Sequence, residues 1–264
     1  MKKPDFESAK KNISIIGTVG IPAKYGGFET LVEYLTKYLH KDYDFTVYCS
    51  AKSYEEKTEI YNGARLDYLD LDANGISSIR YDIVSMLRAR KESDILLILG
   101  VSGCTFLPVL KYFTKAKLVV NIDGLEWKRD KWSAFGKWFL KLSEKFAVNN
   151  ADVVIADNVV IQQHVKQTYH KESVLIAYGA DHVEKIPLTD ELTQEFPVLN
   201  GDFALTVCRI EPENNIHLLL EAFSGSDNLP LVIIGNWTNS EYGRALRSRY
   251  FSYAHIHLLD PIYE

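Results

Sequence analysis

Cysteine is scarce in the 264 residues. Cys49, Cys104 and Cys208 are odd in number, far apart, and each lies in or beside an apolar run. That excludes a disulfide-stapled secreted scaffold and, with no paired Cys/His spacing, a structural zinc site. The three read as buried, reduced thiols of a cytoplasmic protein. Long apolar runs are missing too; none approaches the roughly 20 residues of a membrane-spanning helix. The opening stretch MKKPDFESAKKN carries charge but no apolar h-region, so no secretory signal is expected there. Positive charge is not in excess. A net charge of −5 speaks against a protein that holds nucleic acid over its whole surface. There is no internal repeat and no low-complexity segment. What is present, 47% hydrophobic and 25% charged residues, fits a globular chain of one large domain or two smaller ones.

The chain is organised around residues 17–29, GTVGIPAKYGGFE. A short apolar run, Ile13 to Ile16, precedes it and reads as a buried strand. A helical pattern follows, with Phe28, Leu31, Val32, Leu35 and Leu39 on one face and Glu29, Glu33 and Lys37 expected to point away. The result is strand, glycine-rich loop, helix. Gly26 and Gly27 sit at the helix start, where absent Cβ atoms let the backbone approach a ligand closely. The free N–H groups and dipole of that end favour an anion or a sugar hydroxyl. Two adjacent glycines also serve a plain strand-to-helix turn.

Strands are expected over 12–17, 45–49, 65–69, 95–100, 117–122, 153–156 and 173–178, with helices over 28–40, 76–90, 103–113, 132–149 and 159–169 between most of them. Short continuous apolar runs alternating with helices predict a doubly wound parallel sheet, with ligands at the carboxyl ends of the strands. Residues 183–200, which hold Pro187 and Pro197, read as a linker. Alternation restarts near residue 201 and supplies about three strands. An open sheet that small leaves an unpaired edge and an uncovered face, so the chain is expected to be a fragment or to be completed by something else.

Four further segments carry candidate chemistry. NIDGLEWKRDKW, residues 121–132, follows a strand and so lies on the ligand-binding rim. Asp123 and Glu126 are candidate acid, base or hydroxyl acceptors. Trp127 and Trp132 could stack on a sugar, and Lys128, Arg129 and Lys131 could meet phosphate. The alternative is a polar loop whose tryptophans are anchored in the core. The next helix adds Trp138, Phe139, Lys137, Lys141 and Lys145, a mixture able to rest on an anionic membrane surface or to be an ordinary amphipathic face. YGAD, residues 178–181, closes the last strand of the first domain, and Gly179 alone could simply make the turn. In CRIEPENNIHLLLEAF, residues 208–223, Arg209 leaves a strand before a helix and is placed to neutralise a diphosphate, or to pair with Glu211 or Glu213. Asp70-Leu71-Asp72 matches a short metal-holding pattern that arises often by chance, and no metal site is assigned.

Together GTVGIPAKYGGFETLVEYL, NIDGLEWKRDKW, YGAD and RIEPENNIHLLLEAF resemble the GT-B, family-4-type glycosyltransferases, in the group that includes bacterial rhamnosyltransferases of surface-polysaccharide assembly. The resemblance implies an α/β, GT-B-like protein. Residues 1–182 would be a complete acceptor-side Rossmann-like domain, and 201–264 part of a nucleotide-sugar-binding one, with a cleft between them. Carried over by position, Gly26, Gly27, Arg209 and Asn214 would serve the donor diphosphate. Phe28, Glu29, Trp127, Arg129 and Trp132 would serve the acceptor, with Asp123 and Glu126 at the chemistry. The implied partners are a nucleotide-diphosphate sugar, dTDP-rhamnose first, and a lipid-linked or oligosaccharide acceptor, with peripheral contact at the inner face of the plasma membrane. No cofactor, metal or nucleic acid is implied. Two departures stand out. Asp123 occupies the place where many relatives have a histidine, and Asn214 that of a lysine. The resemblance also implies an acidic Glu-x7-Glu-type segment that grips the donor ribose and sugar; its place is expected to fall past residue 264, which implies little or no transferase activity for these 264 residues alone. Competing readings are a nucleotide- or sugar-binding module without catalysis, and a nicotinamide-dependent oxidoreductase. Against the latter, the first loop is too long for G-x-G-x-x-G, and the second strand ends at Cys49-Ser50 rather than at an acidic residue.

Overall fold

The computed structural model describes residues 10–24, 26–122, 124–129, 132–181, 183–225 and 229–262. The chain divides into two compact units, Met1–Ala180 and Asp181–Glu264.

The first unit is built on an eight-stranded sheet. Its strands are β1 (Lys11–Ile16), β2 (Tyr43–Ser50), β3 (Ile60–Tyr61), β4 (Ala64–Leu69), β5 (Ile95–Leu99), β6 (Lys117–Ile122), β7 (Val153–Ala156) and β8 (Val174–Leu175), in spatial order β3-β4-β2-β1-β5-β6-β7-β8. All neighbours run parallel except β3 and β4. That pair is a two-residue hairpin closed by Asn62 and Gly63, both at positive φ, as a turn matched to strand twist requires. The helices are α1 (Gly27–Leu39), α2 (Ser77–Ala89), the short α3 (Leu107–Leu110), α4 (Ala134–Asn150) and α5 (Val159–Tyr169).

Successive strand residues point to opposite faces, and both faces are buried. Ile15, Val47 and Leu99 pack with Val32 of α1 on one side. Ile16, Ile98, Val120 and Ile122 pack with Tyr81 and Met86 of α2, Leu107 of α3, Ala147 of α4 and Ile161 of α5 on the other. The topology has one consequence for function. From β1 the chain winds outward through β2 and β4, then returns to β5 on the other flank of β1. The carboxyl ends of β1 and β5 therefore flank the point where the winding reverses, the place at which open α/β sheets form a crevice.

The second unit holds α6 (Asp190–Glu195), β9 (Ala204–Val207), α7 (Ile216–Ser224), β10 (Leu231–Ile234), α8 (Glu241–Tyr250) and β11 (Ile256–Leu259). Its sheet is parallel, in order β11-β10-β9. The stretch expected to be a linker contains α6, capped by the Thr189 hydroxyl, which accepts from the N–H of Leu192 at 3.3 Å. The core is Ile216 and Leu220 of α7 and Leu246 and Tyr250 of α8 against Leu231, Ile233 and Ile256. Trp237 is fully buried there and donates its Nε1–H to the Leu259 carbonyl at 2.9 Å. Leu205 and Val207 alternate with the core-facing residues of β9 and are exposed.

Candidate functional site

The loop after β1 is fixed from every side. At Gly17, with φ 93°, an added Cβ would sit 2.0 Å from the Leu99 carbonyl oxygen, so β1 and β5 meet there backbone to backbone. Gly20, with φ 129°, abuts Cys49, whose thiol is fully buried and pushed up to about 11 by desolvation. The Val19 carbonyl accepts from the N–H of Ser50 at 2.8 Å, the Pro22 carbonyl from the Tyr54 hydroxyl at 3.0 Å, and the Thr18 carbonyl from the Tyr81 hydroxyl at 3.1 Å.

Two carboxylates of α1 complete the anchoring and correct the expectation that they point away. Glu29 is buried, and its Oε1 accepts from the N–H of Val19 at 2.8 Å. Glu33 accepts from the N–H of Ala23 at 2.6 Å through Oε2 and from the Tyr61 hydroxyl at 2.9 Å through Oε1. In the structure Glu29 holds the loop through the Val19 N–H. The amphipathic pattern misled because backbone N–H groups of the preceding loop compete with water for these carboxylates.

Gly26 and Gly27 differ. Gly26 precedes α1 with φ 132°, and a Cβ there would come within 1.9 Å of Glu29 Oε2. Gly27 is exposed, and a Cβ there would meet nothing within 4 Å. No side chain caps α1. Among the described residues, the N–H groups of Gly27 and Phe28 have no acceptor. Phe28 is half-buried and lies near Gly100, at 3.7 Å from where its Cβ would be.

A second loop, Gly100 to Gly103, completes this end of the sheet and was not singled out by sequence reasoning. Gly100 has φ 84° and donates its N–H to the Asn121 carbonyl at 2.9 Å. The N–H of Gly103 donates to Asp82 Oδ2 at 3.1 Å from beneath. Asp82 is 3% exposed, and its Oδ1 has no partner among the described residues. Burial raises this carboxyl to about 7, and the Gly103 bond only partly opposes the shift. The Oδ1 of Asn121, at the end of β6, is likewise buried and unpartnered among the described residues. The available signal was a glycine on either side of Val101-Ser102, directly after the apolar run of β5.

The rim loop after β6 is partly described; Asp123 and Lys131 lie outside the described residues. Glu126 meets its own loop: Arg129 Nη1 lies 3.3 Å from Oε2, and Trp132 donates its Nε1–H to Oε1 at 3.1 Å. Trp127 is not an open stacking surface. Its Nε1–H is donated to Glu144 Oε2 at 2.9 Å, and Lys141 and Lys128 Nζ lie 5.0 and 5.5 Å from its ring. Asp70 and Asp72 form no metal cluster, and among the described residues no group of three or more His, Cys, Asp or Glu does. Asp72 Oδ1 accepts from the N–H of Asn74 at 2.9 Å, as a turn residue does.

In the second unit Arg209 follows β9. It is exposed, and its guanidinium makes no ion pair among the described residues. Asn214 does not replace a cation: its Nδ2–H is donated to the Arg209 carbonyl at 2.7 Å, folding the turn before α7. Tyr242, not anticipated, accepts from the N–H of His217 at 3.0 Å at the α7 start. Cys208 is half-buried rather than fully buried.

Residues 10–181 match a family described as Domain of unknown function (DUF1972). A search of curated protein sequences finds no match to the chain. Among solved structures the chain is similar to sucrose-phosphate synthase from Thermosynechococcus elongatus, at 14% identity and TM-score 0.73, covering 96% of this chain and 71% of that one. It is also similar to Anabaena HepE in complex with UDP and glucose, at 16% identity and TM-score 0.70, covering 96% and 70%. UDP-GlcNAc 2-epimerase from Neisseria meningitidis bound to UDP-GlcNAc is similar at 12% identity and TM-score 0.55, covering 96% and 73%. At these identities the likeness establishes the fold: Rossmann-like α/β of the GT-B type.

Proposed function

We propose, from the premise that the chain belongs to the DUF1972 family, that it serves glycosyl transfer from a nucleotide-diphosphate sugar. The finer reading is a family-4-type rhamnosyltransferase that takes dTDP-rhamnose to a lipid-linked saccharide in surface-polysaccharide assembly, without a metal and with retention. One observation carries it. The glycine-rich loop delivers the uncapped N-terminus of α1 to the point where the sheet's winding reverses. The synthase and HepE overlay at TM-scores of 0.73 and 0.70, above the 0.55 of the epimerase, which favours transfer over epimerisation.

Breaking the bond from the anomeric carbon to the diphosphate places negative charge on the leaving phosphate and positive charge on the carbon. Preorganised donors at the phosphate supply most of the help. In this reading the first unit offers the N–H groups of Gly27 and Phe28 with the α1 dipole; in the second unit the candidate diphosphate partner is the Arg209 guanidinium. Asp123 and Glu126 serve the acceptor hydroxyl, with Phe28, Arg129 and Trp132 beside it. In a retaining reaction that hydroxyl attacks on the departing face.

The lipid-linked acceptor is supported by α4. Phe135 and Trp138 are 72% and 57% exposed with rings 5.6 Å apart, and Lys141 and Lys145 are exposed on the same helix. Aromatic rings flanked by lysines suit an anionic membrane surface. No helix among the described residues is long and apolar enough to cross a membrane.

The test is calorimetric titration with dTDP-rhamnose, dTDP, UDP-glucose and NAD, alongside transfer of labelled rhamnose to a polyprenyl-diphosphate saccharide. Binding of a nucleotide sugar and not of NAD is expected. If no nucleotide sugar binds, the reading fails.

A further inference from the structure

Glu144 lies in the middle of α4 and is 1% exposed. Its carboxylate accepts from three donors. Oε2 takes the Nε1–H of Trp127 at 2.9 Å, and Oε1 takes His164 Nε2 and the Tyr169 hydroxyl, each at 2.7 Å. His164 and Tyr169 both belong to α5, with rings 5.7 Å apart in an edge arrangement, and His164 Nδ1 is 3.2 Å from Thr168 Oγ1. One carboxylate thus joins α4, α5 and the 3-10 turn Glu126–Lys128 of the rim loop.

A carboxylate buried on a helix whose other inward residues are Leu140, Ser143, Ala147 and Val148 is costly unless its lone pairs are used. A leucine would fill the space more cheaply. The arrangement makes sense if position, not stability, is what it secures. Trp127 is the link from the rim turn to Glu144, through its indole N–H. The two residues ahead of that turn, Gly124 and Leu125, have φ 63° and −97°, so the loop does not continue the strand and needs an external anchor. From the Trp127 anchor the chain runs on to Arg129 and Trp132, which close on Glu126.

We infer that Glu144 is the positioning residue of the rim loop, acting through the indole N–H of Trp127 to fix where Glu126, Arg129 and Trp132 stand at the carboxyl edge of the sheet. It touches no reacting atom. The functional part of this inference rests on the glycosyltransferase reading; the positional part does not.

The experiment uses the whole chain labelled with ¹⁵N and follows the indole N–H resonances of Trp127, Trp132, Trp138 and Trp237, assigned by single substitutions. Glu144→Gln keeps the shape but places an N–H₂ against at least one of the three donors. Trp127→Phe keeps an aromatic side chain but removes the five-membered ring that carries the N–H donor. Glu144→Gln is expected to move the Trp127 and Trp132 resonances and to leave Trp237 unmoved. Trp127→Phe is expected to move Trp132 in the same direction. In calorimetric titration with a polyprenyl-diphosphate saccharide each variant is expected to weaken binding tenfold or more, and the double variant to be no weaker than either alone. If Glu144→Gln fails to fold, Trp127→Phe carries the same two readouts. Trp132 unmoved in the folded variants, or fully additive effects in the double variant, would overturn the inference. A chain that binds no nucleotide sugar but shows a shifted Trp132 resonance would reject the transferase reading and keep the positioning role.

Discussion

Gly27→Ala separates a ligand site from a turn that merely needs glycine. Gly27 opens α1, and a methyl group built there meets nothing within 4 Å. Its φ is not in the left-handed region. Alanine therefore costs nothing in the folded state, while it restricts the unfolded chain and favours the helix by up to about 1 kcal/mol. In a unit of this size that corresponds to a melting temperature higher by about 1–4 °C. If a phosphate or sugar hydroxyl sits against the Gly27 and Phe28 amides, the same methyl group stands between donor and ligand. Losing hydrogen bonds to a charged group costs about 1.5–3 kcal/mol, or roughly tenfold to a hundredfold in affinity. Gly26→Ala is the contrast. Its φ of 132° and the 1.9 Å approach to Glu29 Oε2 combine backbone strain with the loss of the Val19 bond. That sums to about 2–5 kcal/mol of destabilisation. Calorimetric titration with dTDP-rhamnose and a thermal melt, run on both variants, read the two quantities separately. A Gly27→Ala protein that melts no lower and binds the nucleotide sugar as tightly as the parent would show that no ligand approaches this helix end, and the reasoning would be wrong.

Arg209→Ala is expected to weaken nucleoside-diphosphate binding tenfold or more with an unchanged melting temperature, because the guanidinium is exposed and unpaired among the described residues; calorimetry checks the first and a melt the second. Asp82 holds its proton to about pH 7 in the folded chain, against 3.8 as its ordinary value, so it favours folding below pH 4 and that advantage is lost as pH rises through 7. Urea unfolding should show stability falling by up to about 4 kcal/mol from this group between those limits, and Asp82→Asn should flatten the slope. Removing both exposed rings of α4, with Phe135→Ala and Trp138→Ala, should reduce sedimentation with phosphatidylglycerol vesicles about tenfold or more and leave the melt unchanged.

The parallel sheet was readable because β1 and β5 feed the cores on both of its faces, and strands covered on both sides read as short apolar runs. Other features were hidden for physical reasons. The β3–β4 hairpin carried its own signal in Asn62-Gly63, but strands of so few residues have no periodicity to read. Glu29 and Glu33 follow a solvent-facing pattern and yet serve loop amides ten residues earlier, a partner that helical spacing does not reveal. Glu144 is not among the residues singled out from the sequence, because only the fold brings His164, Tyr169 and Trp127 to it. Of the rim loop, sequence composition told which side chains were unusual, not that Trp127 faces inward. Asn214 was read by its place in a motif, whereas its amide folds the turn before α7.

The way the loop after β1 is tied down bears on selectivity. Its amides at Val19 and Ala23 are already spent on Glu29 and Glu33, so what it offers a visitor is a rigid contour and the few main-chain donors at the head of α1. Main-chain donors greet any phosphoryl oxygen alike and are blind to the base and to the sugar's stereochemistry. On the glycosyltransferase reading proposed above, discrimination between thymidine and uridine conjugates falls to side chains elsewhere, and grafting this loop onto a cousin should carry over grip without carrying over choice.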